Sequence, residues 1–486
     1  MSLYGTFEDN RYQLDVIFQN CADIVQKEIL LQYPNQRRAK IYFVEEAVND
    51  ITLRKVIWGM SDVEELSDLA QIEKTILSGN AVLIVEDSSA HSGIFHGRGG
   101  ERLSGCRALK VRGKGYPGIG VTETRDEQVV RGSNEGFSVS YKTNEVLVRK
   151  RIRSAMLKVE ELQAGIHSDT GIAIMYMDNI VRKEILSEIK KRLDGFQIDG
   201  FMDSGVVEQL TDGEKWSIFP QYMTTVRPDR AAQFLLDGHI VLLVDNSPVA
   251  LVLPVNFGSF MKTADDYYER WGIATFLRSI RYLAIFFAIS LPALYISIVN
   301  FHPEILPNNL VLVFIEAREN IPYPVFIEVM IMEISFELIR EAGVRVPGAM
   351  GNAIGVVGGL IVGSAAVDAS LASPIIVIIV ALTAMCSFAI PNNEFSSSFR
   401  IIKYFLIIMA EIYGIFGYIA GILLIMLHLS GLKSFGFPYL GPAAGAELNH
   451  SEDKKDFILR TPYRFLTKRP IFSREDNRTK LLFKRK

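Results

Sequence analysis

GAMGNAIGVVGGLIVGSAAV, residues 348–367, sets Gly351, Gly355, Gly359 and Gly363 four residues apart inside an apolar run. On a helix all four fall on one stripe, with no side chain to hold a neighbouring helix away. In lipid, apolar burial gives no net drive for helices to pair, and such stripes let them approach closely. Each Gly costs about 1 kcal/mol in a soluble helix interior, so four in register need a compensating contact. A glycine-rich loop would not carry Ile354, Val356, Val357, Leu360, Ile361 and Val362 on the other faces. The stretch reads as a packed transmembrane helix.

The 486-residue chain has room for two or three domains. It is 49% hydrophobic, with a mean hydropathy of +0.19, yet 22% of its residues are charged. Segregation reconciles these values: charge sits in the first 279 residues and in the last forty, with apolar runs between. A formal net charge of −3 does not point to a nucleic-acid partner. Cys21, Cys106 and Cys386 are far apart, so neither a disulfide framework nor a zinc site is indicated. The polar start MSLYGTFEDNRYQ is unlike a cleavable signal peptide, which leaves the first domain in the cytoplasm.

Residues 11–30 repeat apolar positions at helical spacing and read as an amphipathic helix. Ala39–Val44 reads as a strand, Val63–Leu77 as a helix and Ala81–Glu86 as a strand, the pattern of a small α/β unit. Residues 87–105 form an exposed loop by composition. Gly113, Gly115 and Gly118 match G-x-G-x-x-G, but Pro117 and the following IGVTET do not open the helix that a dinucleotide site requires. His91 and His96 lack partners at ligand spacing, and no catalytic triad is suggested; neither cofactor nor metal is expected, and the chain does not read as an enzyme. Thr143–Glu161 reads as a long helix with Arg149, Lys150, Arg151 and Arg153, ordinarily a solvated face; the functional alternative is contact with an acidic partner or anionic lipid.

The earlier pattern then returns, with strand Thr170–Met177, helices Asn179–Leu193 and Asp229–Leu236, strand Ile240–Asp245 and a hairpin through Val249–Val255. ILSGNAVLIVE (76–86) and LLDGHIVLLVD (235–245) both end a helix at Gly and enter a buried strand closed by an acid. The N-terminal region therefore reads as two similar α/β subdomains, with residues 1–165 as the first and 166–279 as the second.

Residues 280–432 read as an all-α polytopic membrane domain. Arg270, Trp271 and Arg278 before the run Ile280–Phe301, with Arg281 at its start, read as cytoplasmic interface anchors, and the run is long enough to span a core of about 30 Å. With the glycine helix, Pro374–Ile390 and Tyr404–Leu429, four crossings are expected. The segment near 310–340, with Glu333, Glu337 and Glu341 at i, i+4, reads as interfacial, re-entrant or lining a vestibule. An even count returns the tail, residues 433–486, to the cytoplasm, and residues 450–486 hold twelve Lys or Arg against five Asp or Glu. Arg400 and Lys403 fit this topology poorly.

Several stretches carry a specific resemblance: VVRGSNEGF with NEVLVRKRIR (129–153), VRPDR (226–230), DDYYER (265–270), LPALYISIVNFHPEILP (291–307), LIREAGVRVP (338–347), GVVGGLIVGSAAVDASLASP (355–374) and KSFGFPYLGP (433–442). Together they resemble the A-type subunits of the GerA family of spore germination proteins, from about residue 10 to the basic tail. The Gly- and Arg-rich segment 93–120 departs from that pattern. The resemblance implies a multi-pass subunit of a nutrient receptor in the spore inner membrane, with both termini cytoplasmic. It implies a homo-oligomeric ring, a pentamer, acting as a cation channel beside a transporter-like B subunit and a lipoprotein C subunit. Alternatives are a receptor-independent paralogue that amplifies ion release, and a non-conducting scaffold that couples a sensor to other ion-release machinery.

Within that frame the glycines are the helix-packing residues, and Val357, Ile361 and Val362, off the stripe, are candidate pore or gate residues. Glu333, Glu337, Asp368 and Glu411 are the intramembrane or vestibule acids, because carboxylates at such depth are costly without an ion path or polar partner.

Overall fold

The computed structural model describes residues 6–31, 37–48, 63–86, 106–111, 127, 129–345, 349–443 and 452–482. The G-x-G-x-x-G match and both loop histidines lie outside them. Runs of β-branched and apolar residues bounded by turns build two five-stranded sheets. The first comprises β1 (Ile24–Leu31), β2 (Arg37–Val44), β3 (Val63–Leu66), β4 (Ala81–Glu86) and β5 (Cys106–Val111), in the order β1-β2-β4-β5-β3. The second comprises β6 (Leu157–Ala164), β7 (Thr170–Met177), β8 (Met223–Thr225), β9 (Ile240–Val244) and β10 (Ala250–Leu253), in the order β6-β7-β9-β10-β8. The two orders are the same pattern, and every pair of neighbouring strands is antiparallel.

The repeat extends to single hydrogen bonds. Helix α1 (Phe7–Ile17) is capped by Thr6 and α3 (Tyr141–Arg149) by Ser140, and a buried asparagine, Asn10 or Asn144, lies four residues after each cap. Gly79 and Gly238 take positive φ, 80° and 100°, after α2 (Leu69–Ile76) and α6 (Pro228–Asp237). Asn80 N donates to Thr75 O and His239 N to Phe234 O, the same reversal closing the same turn.

Three stretches expected as single helices are each divided. Residues 11–30 are α1 followed by β1, Val63–Leu77 is β3 followed by α2, and Thr143–Glu161 is α3 followed by β6. Leu157–Ala164 pairs with β7, so the second sheet gathers its first strand before residue 166. Helical spacing over these stretches came from joining two short elements, each apolar on one side.

One face of the second sheet, through Ile172, Ile174, Leu242 and Val244, is covered by α4 (Lys183–Leu193) and α5 (Ser204–Thr211). The other, through Ala173, Met175, Val241 and Leu243, shares its core with the helices that follow. Phe219, Phe260, Phe395 and Phe399 knot the two regions together, with Phe260 stacked on Phe395 at 4.8 Å.

The helical region contains α9 (Trp271–Phe301), α10 (Asn308–Glu316), α11 (Val325–Arg345), α12 (Ala349–Asp368), α13 (Pro374–Phe388) and α14 (Asn393–Gly431), after the short α7 (Phe257–Met261) and α8 (Asp265–Tyr268). Trp271–Phe301 and Asn393–Gly431 have the length and apolarity of a membrane span, and Pro374–Phe388 is apolar but shorter. The last helix is not one straight run. Gly414 takes φ 60°, ψ −139°, a conformation open to glycine, and reverses the chain. Met409 then faces Gly417, and Leu406 faces Gly421.

The end of the bundle against the second sheet fixes the direction of each leg. Helix α9 starts there, where Arg281 donates to Met261 O at 3.1 Å, and ends at Phe301 against Gly414. Leg 393–413 starts beside Thr224 and Ile218, and leg 415–431 returns to place His428 beside Ser217. Ser373, at the far start of α13, donates its N–H to Glu328 near the start of α11 (3.2 Å). At the sheet end Arg340 of α11 donates to Ser387 of α13 (2.7 Å). In α12, Gly358 faces Ile339 and Gly363 faces Val377, so it runs away from the sheet. Among the described residues six legs alternate in direction. The expected interfacial segment near 310–340 is the short α10 plus a bundle leg, α11.

Candidate functional site

A seam of paired charges runs inside the bundle. Glu333 and Glu337 of α11, one turn apart, face Lys403 and Arg400 of α14, which are three apart and share a face. Glu333 is 2% exposed and its pair with Lys403 is enclosed, while Arg400 meets Glu337 at 2.5 Å. Toward the far end Glu328, wholly buried, takes Arg318 Nη2 at 2.8 Å. The misfit of Arg400 and Lys403 in the linear topology has this cause: each is neutralised by an acid on a helix some 60 or more residues earlier. Glu333 Oε1 has no hydrogen-bond donor among the described residues. Such an oxygen, buried beside an ammonium, could accept from water or meet a cation.

The other expected acids lie apart from the seam. Glu411 sits beside the Gly414 turn and accepts from Asn300 Nδ2 at 3.2 Å, at the far end of the bundle. Asp368 is exposed at the end of α12, and Glu341 pairs with Arg345 of its own helix. Among the described residues nothing lies within 4 Å of where a Cβ would stand on Gly359, whereas Gly363 would meet Val377 Cγ1 at 3.4 Å. Ile361 is 57% exposed and Val362 half-buried. The surroundings of Gly351, Gly355 and Val357 lie outside the described side chains. No group of three metal-ligating side chains occurs among the described residues.

A second cluster, missed from the sequence, joins sheet, bundle and tail. Arg278, expected to anchor at the lipid interface, is fully buried, with Nη2 2.9 Å from Asp266 and Nη1 2.8 Å from Asp456 of the tail. Arg281 pairs with Asp266 (2.9 Å), Lys262 with Asp456 (3.0 Å), and Tyr267 donates to Asp456 (2.7 Å). Against the upward push of burial, Lys262 and Arg278 hold the Asp456 carboxyl well below the usual carboxylate range. Thr275 and Arg460 exchange hydrogen bonds one turn away, and Arg474 N donates to Ile180 O, so the tail straps the second sheet to α9. The signal available was Asp456 itself, an acid among basic residues.

The basic run after α3 turns inward. Arg149 is buried against Asp23 with bonds of 2.6 and 2.8 Å, while Lys150 and Arg151 both meet Glu135 at 2.7 Å. Asp23 and Glu135 match two of these three charges, and Arg153 stays exposed. Residues of separate motifs hold one another in the same way: Tyr268 of DDYYER donates to Asp229 of VRPDR at 2.7 Å.

The model of the Bacillus/Clostridium GerA spore germination proteins matches residues 12–472. The chain belongs to the GerA family. It is 38% identical over 402 residues to spore germination protein KA of Bacillus subtilis (strain 168), covering 82% of this chain and 70% of that protein. It is 33% identical to the membrane protein YfkQ of the same organism, covering 95% and 90% of the two chains. The solved N-terminal domain of the A subunit of the Bacillus megaterium spore germinant receptor GerK3 aligns at 25% identity over 53% of this chain and 98% of that one, with a TM-score of 0.38. The GerA match includes both sheets, the seam and the tail residues as far as Phe472.

Proposed function

We propose that this chain is the A-type membrane subunit of a nutrient germinant receptor and, as a homo-oligomer, forms its cation channel. The charged seam carries this reading. A bundle meant only to sit in lipid would fill the α11–α14 contact with apolar side chains, because buried ion pairs contribute little stability over a well-packed apolar core. Charges kept at that cost mark an ion path or the polar core of a gate. In this reading the six legs cross the spore inner membrane, and the two sheets and the tail share the cytoplasmic side. A pentameric ring, the transporter-like B subunit and the lipoprotein C subunit complete the receptor. The sheet regions, bundle and tail act as separate parts, with the Arg278 cluster transmitting movement between them.

The open position at Gly359 suits a neighbouring subunit, and Val357, Ile361 and Val362 are candidates for an apolar gate that conducts poorly when dry. Ile361→Ala and Val362→Ala in the native spore test the gate: potassium release without nutrient at normal protein abundance is expected. Normal abundance without leak removes α12 from the gate. Co-purification with B- and C-type subunits tests the receptor assignment, and an assembled complex that never conducts would favour the scaffold.

A further inference from the structure

Trp216 is 98% exposed, yet the loop that carries it is firmly held. Gly213 N and Glu214 N both donate to Gln221 Oε1, at 3.0 and 3.3 Å. Ser217 Oγ lies 3.1 Å from His428 Nε2, and Ser398 Oγ donates to the Ile218 carbonyl. Ser398 and His428 stand near the sheet-side ends of the two legs of α14, so the loop bridges both at one level. Beside the indole a cleft of about 330 Å³ is lined by Ile218, Ile401, Phe405 and Leu424. Exposed apolar side chains continue along the hairpin through Ile408 and Leu427. Lys215 and Lys433 are exposed at the same rim, with the exposed acids Glu214 of the loop and Glu394 at the start of α14. Trp271, at the start of α9, is also exposed at this end of the bundle.

We infer that Trp216 anchors the second sheet region to the bilayer, its indole entering the headgroup boundary while Lys215 faces the lipid phosphates. The inference rests on the reading that α14 crosses the membrane. An amphipathic ring favours that boundary because its face is apolar and its N–H still finds a polar partner. A lysine beside it keeps its stem on the apolar side and its charge in the headgroups. The cleft opens directly onto the apolar side of the hairpin, so lipid that covers the hairpin also fills the cleft. A loop held at both legs then fixes the height of the sheet above the membrane.

The full chain carrying Trp58→Phe and Trp271→Phe, reconstituted in phosphatidylglycerol–phosphatidylethanolamine vesicles, leaves Trp216 as the only indole. Its emission should be blue-shifted from that of the denatured chain. Lipids brominated close to the headgroup should quench it several-fold more than lipids brominated near the chain end or aqueous iodide. Strong iodide quenching without lipid quenching overturns the anchor, as does protection from both, which would place a second protein copy over the loop. Leu424→Trp, in a chain with its three native tryptophans changed to Phe, separates the two readings. Quenching of that indole by bromine near the chain end, with Trp216 untouched by lipid, overturns the anchor alone. Its escape from lipid quenching overturns the crossing of α14.

Discussion

His239 shows what one buried ring sets in this protein. It packs between Phe234 and Phe472 of the tail, at 4.9 and 4.5 Å, with Nδ1 2.7 Å from Pro254 O, and burial pushes its pKa down to about 4. The unfolded chain binds this proton near 6.5, so between pH 6.5 and 4 the unfolded state holds more protons than the folded one. Stability from the neutral ring is complete above pH 6.5 and declines by roughly 3 kcal/mol as pH falls to 4. Unfolding of the detergent-solubilised chain across this range should therefore steepen with acidity, and His239→Asn should flatten that slope; an unchanged slope would assign the acid sensitivity elsewhere. In the seam, Glu333→Met or Lys403→Met alone strands a buried charge and should cost on the order of 3–5 kcal/mol. The double variant should recover most of it, and costs that simply add would show that the pair is solvated.

At the scale of elements, two glycines one turn apart on α12 face different surroundings. Gly363 meets Val377 within the chain, and Gly359 meets nothing among the described residues. Gly359→Leu should keep the monomer intact and abolish oligomers, whereas Gly363→Leu should lower the thermal stability of the monomer itself. Normal oligomers from Gly359→Leu would place the subunit contact on another helix. How much of this was legible follows from what decides each element. The strands Thr170–Met177 and Ala81–Glu86 were readable to the residue because a buried strand needs an unbroken apolar run. The duplicated helix–Gly–strand passage was readable because only the αL position demands its glycine. The split of residues 11–30 was not, since two short elements joined at a turn mimic helical spacing. Nor was the α14 hairpin: Gly414 is one of four glycines in that helix, and its reversal depends on the packing of Phe301 and Met409. The seam acids were found in sequence and their partners were not, because sixty to seventy residues separate Glu333 and Glu337 from Lys403 and Arg400.

For the whole molecule, all six alternating legs cross the membrane in the proposed reading, which puts the sheets and the tail on one side of it. Single-cysteine labels at Lys150, Asn393 and Lys433 should react from one side, and labels at Asn320, Ser370 and Tyr413 from the other. Opposite sides for Asn393 and Lys433 would restore α14 as a single crossing. The central claim is conduction. Purified receptor containing this chain with the proposed B- and C-type partners, in potassium-loaded vesicles, should release potassium when a mixture of amino acids and sugars is added. The same preparation with Glu333→Met and Lys403→Met should assemble but release it at an altered rate. A fully assembled, nutrient-responsive complex that passes no monovalent cation would contradict the account.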